Sequence, residues 1–277
     1  MKNWRSVAVD TSDVVVAITD PGEVDRETHN KFDRGIVAIG NVFAWLFPIL
    51  MVAICAQVIL RQAGHNQAWL DDLQWWLYGA AVLIGIAYAV TTNSHVRVDI
   101  RYDSFTKAKK LRTEILALAW CFLPFIILAW DVTLNYAISS VVANEGSDSP
   151  NGLHNLWILK VFMNVSFLVI AVAIWGAYSR YLAMLTNPVL WKKLLFAFPS
   201  VMFALNLAIY YATFWIVYLT SPEGTSMRQV GRHWLFDEFE LGPWDIKYTV
   251  AAALIATVVV IAVARLMDRG AKAGQEG

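Results

Sequence analysis

Long apolar runs separated by short polar segments are the main pattern along the chain. A membrane-spanning helix needs about 20 such residues, because it rises about 1.5 Å per residue across a hydrocarbon core of about 30 Å. Six runs are long enough, and only the third contains a charged residue: Gly35–Leu60, Leu73–Ser94, Ile115–Asn144, Val161–Ser179, Leu194–Ser221 and Tyr248–Ala264. The pattern predicts an all-α polytopic membrane protein with about six transmembrane helices.

The third apolar region is longer than a membrane requires. Leu111–Val142 contains 32 residues, or about 48 Å as one α-helix. It must therefore tilt, bend or project beyond the hydrocarbon. Pro124 lacks a backbone N–H and crowds the preceding turn, which predicts a kink there. Asp131 lies about 29 Å beyond Arg112 along such a helix, so we expect it near the outer interface. There it would snorkel to water or be capped, contact another subunit, or take part in a proton or ion relay.

Basic residues alternate between the two sides of the predicted spans. Seventeen lie in the tails and in the second and fourth loops, and four lie in the other three loops. Because cytoplasmic loops are rich in Lys and Arg, this asymmetry predicts that both termini are cytoplasmic. Residues 1–33 are predicted to be a polar cytoplasmic tail, since their early apolar run, Val14–Ile18, is too short for a signal peptide.

Composition and motif content argue against catalysis. The chain is 58% hydrophobic and 16% charged, and its net charge is zero, so no basic field suggests a nucleic-acid partner. All five histidines lie in predicted tails or loops, whereas a membrane haem needs axial histidines at membrane depth. We therefore expect no enzyme activity and no cofactor. A subunit of a transport complex, an independent six-helix carrier or channel, and the membrane anchor of a redox complex remain open.

Two loops carry more specific patterns. The second loop contains the run from His95 to Tyr102, in which apolar residues alternate with Arg97, Asp99 and Arg101. This alternation favours either a short strand or a segment lying flat at the membrane interface. The third loop is a tight acidic turn, bracketed by Glu145 and Lys160. A fifth loop, residues 221–247, is long and mixed in charge.

Four pieces of this sequence, in order, resemble the small permease subunit of tripartite ATP-independent periplasmic (TRAP) transporters, the DctQ-like family. They are Arg61 after the first span, the stretch Trp69–Trp76 before the second, the run His95–Asp99 with Tyr102, and Glu145-x-Ser147 with Gly152-Leu153 and Lys160. The resemblance implies a four-helix core at residues 34–186. Residues 187–277 would then add two membrane helices and a short cytoplasmic tail.

The resemblance also implies a role. The chain would be a multi-pass scaffold in the bacterial inner membrane, beside a large TRAP permease that takes up an organic solute, commonly a carboxylate, with an ion gradient. A periplasmic solute-binding protein and membrane lipids would be its other partners. The candidate structural or subunit-contact residues are Arg61, Asp71, Asp72, Trp75, Trp76, His95, Arg97, Asp99, Tyr102, Asp131, Glu145, Ser147 and Lys160.

Overall fold

The computed structural model of the chain describes residues 22, 26–95, 102, 104–222 and 224–273, the last four without their side chains. It is 77% helical. Six helical stretches are long and apolar enough to cross a membrane: Lys31–Gln62, Ala68–Thr92, Lys107–Val142, Trp157–Leu185, Phe198–Thr220 and Tyr248–Arg269. The prediction of an all-α protein with six spans is confirmed. That both termini lie on the cytoplasmic side remains a prediction.

Ten α-helices and one hairpin make up the described chain. The helices are α1 (Lys31–Ala44), α2 (Leu46–Gln62), α3 (Ala68–Thr92), α4 (Lys107–Leu116), α5 (Leu123–Val142), α6 (Trp157–Leu185), α7 (Leu190–Phe196), α8 (Phe198–Thr220), α9 (Met227–Val230) and α10 (Tyr248–Ala273). The hairpin consists of β1 (Glu238–Leu241) and β2 (Trp244–Lys247). Short 3₁₀ turns precede α1 and β1, at Arg26–Thr28 and Trp234–Phe236.

The first span begins earlier than the first uncharged run, because Asn30 caps it. The Asn30 side chain accepts hydrogen bonds from the backbone N–H groups of Phe32 (2.9 Å) and Asp33 (3.0 Å). The Asp33 carboxylate in turn accepts from the Asn30 backbone N–H at 3.1 Å. This reciprocal capping box satisfies backbone donors that a helix start leaves without partners.

The third span changes helix type just before Pro124. A π-helical segment, Ala117–Phe122, joins α4 to α5, and Pro124 lies in the first turn of α5. Proline has no N–H to donate to the preceding turn, so a carbonyl there loses its usual partner. Neighbouring side chains supply donors in such places within a membrane. Here the Ser200 hydroxyl donates to the Ala119 carbonyl at 2.5 Å. Sequence analysis located this irregularity at Pro124 but expected a simple kink.

Helix α6 forms the centre of the core and packs against α1, α3, α4 and α5. Ile170, Ala173, Ile174, Ala177 and Tyr178 on this helix are fully buried. Two of these are alanines, and small side chains let membrane helices approach closely. The core is therefore built around the fourth span.

Helices α7, α8 and α10 form a second layer against this core, with α8 packed on α5 and α10 on α7 and α8. The segment between α8 and α10 contains the hairpin, whose register pairs Glu238 with Lys247 and Leu241 with Trp244. Its two-residue turn has Gly242 at φ 66°, a left-handed conformation that glycine adopts readily. Sequence analysis described this region only as a loop, although Phe239, Leu241, Trp244 and Ile246 alternate around a Gly-Pro turn.

The bundle has two distinct ends. We call the end that holds Asn30, Arg180 and the start of α4 the terminal end, because α1 begins there and α10 ends there. The other end, which holds the α5–α6 connection and the hairpin, is called the opposite end.

Candidate functional site

The α5–α6 connection is fixed at the opposite end by an acid–base pair. Lys160 Nζ lies 2.5 and 2.6 Å from the two carboxylate oxygens of Glu145, which also accepts from the Ser140 hydroxyl at 2.6 Å. The same ammonium lies 4.0 Å from the centroid of the Tyr136 ring. Hydrogen bonds from Lys160 and then Ser140 hold the pKa of the Glu145 carboxyl below its ordinary value. Two residues 15 apart in the chain, both singled out by sequence analysis, are thus in direct contact.

The rest of this connection is bound to α3 through Asp72. The Asp72 carboxylate accepts from the backbone N–H of Leu153 at 2.9 Å, and the Leu153 carbonyl accepts from Ser147 N–H at 3.0 Å. A Cβ on Gly152 would lie 2.8 Å from the Asp72 carboxylate and would also collide with Ser147. The structure therefore brings together Asp72, Ser147 and the Gly152-Leu153 pair.

The first two spans are joined at the same end by Arg61 and Asp71. Arg61 Nη2 lies 3.4 Å from the Asp71 carboxylate, and both side chains are substantially exposed. Gln57 donates to Asp71 and accepts from Gln74, which extends the contact between α2 and α3. These bonds hold the short α2–α3 turn closed.

Trp75 and Trp76 lie side by side on α3 but in different surroundings. Trp75 is largely exposed, with its ring edge-on to Tyr78 at 6.4 Å between centroids. Trp76 has a buried indole N–H without a hydrogen-bond partner among the described residues. Neither residue belongs to the polar cluster around Asp72.

The second loop is described only in part. Arg97 and Asp99 lie outside the described residues, so the predicted strand or flat segment is not described either. His95 is exposed just after α3. The Tyr102 hydroxyl donates to Glu114 on α4 at 2.8 Å, and Lys110 lies 4.9 Å from the Tyr102 ring centroid. Tyr102 therefore fastens the end of this loop to α4.

Asp131 has a partner within the chain. Its carboxylate accepts a hydrogen bond from the Tyr211 hydroxyl on α8 at 2.6 Å. The alternatives expected from the sequence were a snorkelling or capped Asp, a contact with another subunit and an ion relay, and Tyr211 was not foreseen as its partner. The bond joins the third span to the second layer.

The terminal end holds a buried cluster that sequence analysis missed. Arg180 Nη1 lies 2.6 Å from the Asp33 carboxylate, and Arg180 Nη2 donates to the Thr91 carbonyl at 2.8 Å. The Asn30 amide donates to the Gly176 carbonyl at 2.9 Å. Gly176 permits this approach, since a Cβ there would lie 2.9 Å from the Asp33 carboxylate. The cluster ties together the first, second and fourth spans.

Asp33 and Arg180 were assigned to a polar tail and a loop because both lie at the edges of uncharged runs. The capping pattern from Asn30 to Asp33 was available as a local signal. The contact with Arg180, 147 residues away, had no sequence signal.

Residues 50–184 match the family model described as tripartite ATP-independent periplasmic transporters, DctQ component. In this region, just under half of its length, the chain belongs to the DctQ family. It is accordingly a small, non-enzymatic, multi-pass TRAP transporter subunit of the inner membrane. As part of a tripartite transporter, it has a large permease and a binding protein as its implied partners. No curated protein and no solved structure matches the chain.

The match locates the clusters relative to the family region. It begins within α2 and ends near the end of α6, so it includes Glu145–Lys160 and Arg61–Asp71 but only one partner of Asp33–Arg180. Helices α7–α10 lie beyond it, which is consistent with a C-terminal extension. The division at residues 34–186 and 187–277 remains a prediction, as do the contact roles of the candidate residues.

Proposed function

We propose that this DctQ subunit is the static scaffold of the transporter, against which the large permease moves during ion-gradient-driven uptake. The solute would be organic, commonly a carboxylate, and would be selected by the binding protein and the large permease. One observation supports this role above others. Asp33, Asp131 and Arg180, all within the helical spans, each bind a partner in the same chain.

Paired charges favour a rigid body over a translocation pathway. A carrier normally places polar or ionisable side chains around a solute or ion site within the membrane. Here the Asp33 carboxylate is bound by Arg180 and by the capping N–H, and the Asp131 carboxylate is bound by Tyr211. Either carboxylate would have to break these bonds before it could bind a solute or an ion during transport.

Reconstitution tests the proposal directly. Proteoliposomes would contain the large permease alone, this subunit alone, or both, with binding protein and labelled solute outside and an imposed sodium gradient. A scaffold gives solute uptake only when both membrane subunits are present. Uptake by the permease without this chain, or by this chain alone, would contradict the proposal.

A pair of matched variants separates a scaffold from a carrier. Asp131→Asn removes the charge but keeps an oxygen that can accept from Tyr211, whereas Tyr211→Phe removes the hydroxyl and leaves the charge. If Asp131 carried an ion, Asp131→Asn would abolish uptake and Tyr211→Phe would not. For a scaffold, we expect neither variant to reduce uptake by more than about twofold once complex levels are equalised.

A further inference from the structure

A groove of about 500 Å³ opens at the terminal end between the third span, α6 and α7. Leu116 and Trp120 of the third span, Leu182 and Leu185 of α6 and Phe196 of α7 line it. Arg112 also lines it. Phe196 belongs to the second layer, outside the region that matches the family.

Hydrogen bonds fix the walls of this groove. The Trp120 indole N–H donates to the Phe196 carbonyl at 2.8 Å, which joins the third span to α7. Lys192 Nζ donates to the Thr186 hydroxyl at 2.8 Å, which joins α7 to the residue that ends α6. The groove is therefore formed before any ligand arrives.

Most of the side chains that line the groove are apolar, and one of them, Arg112, is a cation. Leu116 and Trp120 remain 53% and 49% exposed, although both belong to a membrane span. Arg112 is exposed and has no ion-pair partner in the part of the chain that the structure describes, and the neighbouring Glu114 accepts from Tyr102. Trp120 follows Arg112 by eight residues, so the apolar wall extends about 12 Å from the cation into the span.

We propose that this groove binds an anionic phospholipid, with its phosphate on Arg112 and an acyl chain along Leu116 and Trp120. A groove lined by apolar side chains of a membrane span and by the cation of Arg112 matches a lipid, which carries its charge at one end only. Basic pockets between membrane helices bind anionic head groups in this way. Lys192 and Lys193 add positive charge at the same end of the bundle.

Competition between lipids tests the preference for negative charge. The full chain is purified in detergent with a mixture of phosphatidylglycerol and phosphatidylcholine, and retained lipid is measured by native mass spectrometry. We expect phosphatidylglycerol to be retained about tenfold more, because its phosphate has no internal counter-charge, whereas phosphatidylcholine would also bring its choline ammonium close to Arg112. Equal retention of the two lipids would overturn the proposal.

Matched variants locate the site. Arg112→Ala should lower phosphatidylglycerol retention about tenfold, and Arg112→Lys should restore most of it. Lys109→Ala removes the same charge from the same helix outside the groove and should leave retention unchanged. Equal losses from Arg112→Ala and Lys109→Ala would show general attraction to the basic end and would overturn the proposal.

A charge-neutral variant tests the groove itself. Leu116→Trp fills the apolar wall while keeping Arg112, and it should reduce retention of phosphatidylglycerol in a protein whose melting temperature is unchanged. If the variant instead keeps the lipid and loses the large permease, the groove holds a protein segment and the proposal fails. Melting curves of every variant exclude loss by unfolding.

Discussion

The two ends of the bundle use the same chemistry in different surroundings. At the terminal end, Asp33 and Arg180 are 0% and 7% exposed, whereas at the opposite end Glu145 and Lys160 are 37% and 13% exposed. Arg61 and Asp71, also at the opposite end, are 61% and 48% exposed. Water screens an exposed pair, but a buried ion that loses its partner stays unsolvated. The loss of stability on removing one partner should therefore increase with the burial of the pair, even where the distances between the charged atoms are similar.

Removing Arg180 should have the largest effect. Arg180→Met leaves the Asp33 carboxylate buried with only its capping N–H, and breaking a buried pair typically costs about 3–5 kcal/mol. We expect a large fall in the thermal unfolding temperature of the purified chain in detergent. The double variant Asp33→Asn with Arg180→Met removes both charges and should recover much of the loss. A single variant as stable as the double variant would refute this account of the terminal end.

Gly176→Ala should have the next largest effect. The new Cβ would lie 2.9 Å from the Asp33 carboxylate and 3.3 Å from Phe32 Cβ, so the start of α1 must move away from α6. Overpacking of this kind costs about 1–3 kcal/mol. Gly85→Ala is the matched control, because nothing lies within 4 Å of its added Cβ. Thermal unfolding should distinguish the two, and equal shifts would show that Gly176 is not a point of close approach.

At the opposite end, Glu145→Gln should lower the unfolding temperature less than Gly176→Ala does, because Glu145 is partly exposed and water screens its pair with Lys160. The pH dependence has a defined sign. Lys160 and Ser140 lower the folded-state pKa of Glu145, so its contribution is complete above the unfolded pKa of about 4.3 and is lost as pH falls through the folded value. Below about pH 4, wild type should lose thermal stability more steeply than Glu145→Gln. Parallel curves would contradict the assignment.

Arg61→Ala should have the smallest effect, at most about 1 kcal/mol, since its contact with Asp71 is 3.4 Å long and solvent-exposed. Added salt should reduce even this difference. Measurement of unfolding temperatures at low and high ionic strength checks both statements. A loss of stability comparable to that of Arg180→Met would contradict the expectation that the buried pair contributes more than the exposed pair.

Much of the opposite end could be predicted from sequence because its contacts are local. Glu145 and Lys160 lie at the two ends of one short connection, and Arg61 and Asp71 lie at the two ends of another. The two helices that each connection joins therefore hold the members of each pair close together. The terminal end required knowledge of how α1 lies against α6. No local rule relates Asn30 or Asp33 to residues of the fourth span, and a charge at the edge of an apolar run resembles an ordinary loop charge.

The contacts between the third span and the C-terminal helices also join residues that are far apart in the sequence, and these contacts could not be predicted. Pro124 predicted an irregular third span, but the π-helical segment also bonds to distant residues. Ser200 donates to the Ala119 carbonyl and Trp120 donates to the Phe196 carbonyl, contacts that span 81 and 76 residues. The hairpin, in contrast, had a visible signal in the alternation around Gly242, which the mixed charge of its loop obscured. Tyr211 gave no signal as the partner of Asp131.

The π-helical segment also sets the rotational phase of the third span. A π turn contains one more residue than an α turn, and each residue of an α-helix turns the chain by about 100°. The wide turn absorbs one extra residue, so residues beyond Pro124 keep the face that they would have in an α-helix one residue shorter. Deleting one residue within Ala117–Phe122 should therefore leave Asp131 facing Tyr211. If the same residues were instead wound as continuous α-helix, everything beyond Pro124 would rotate by about 100° and Asp131 would face away from Tyr211.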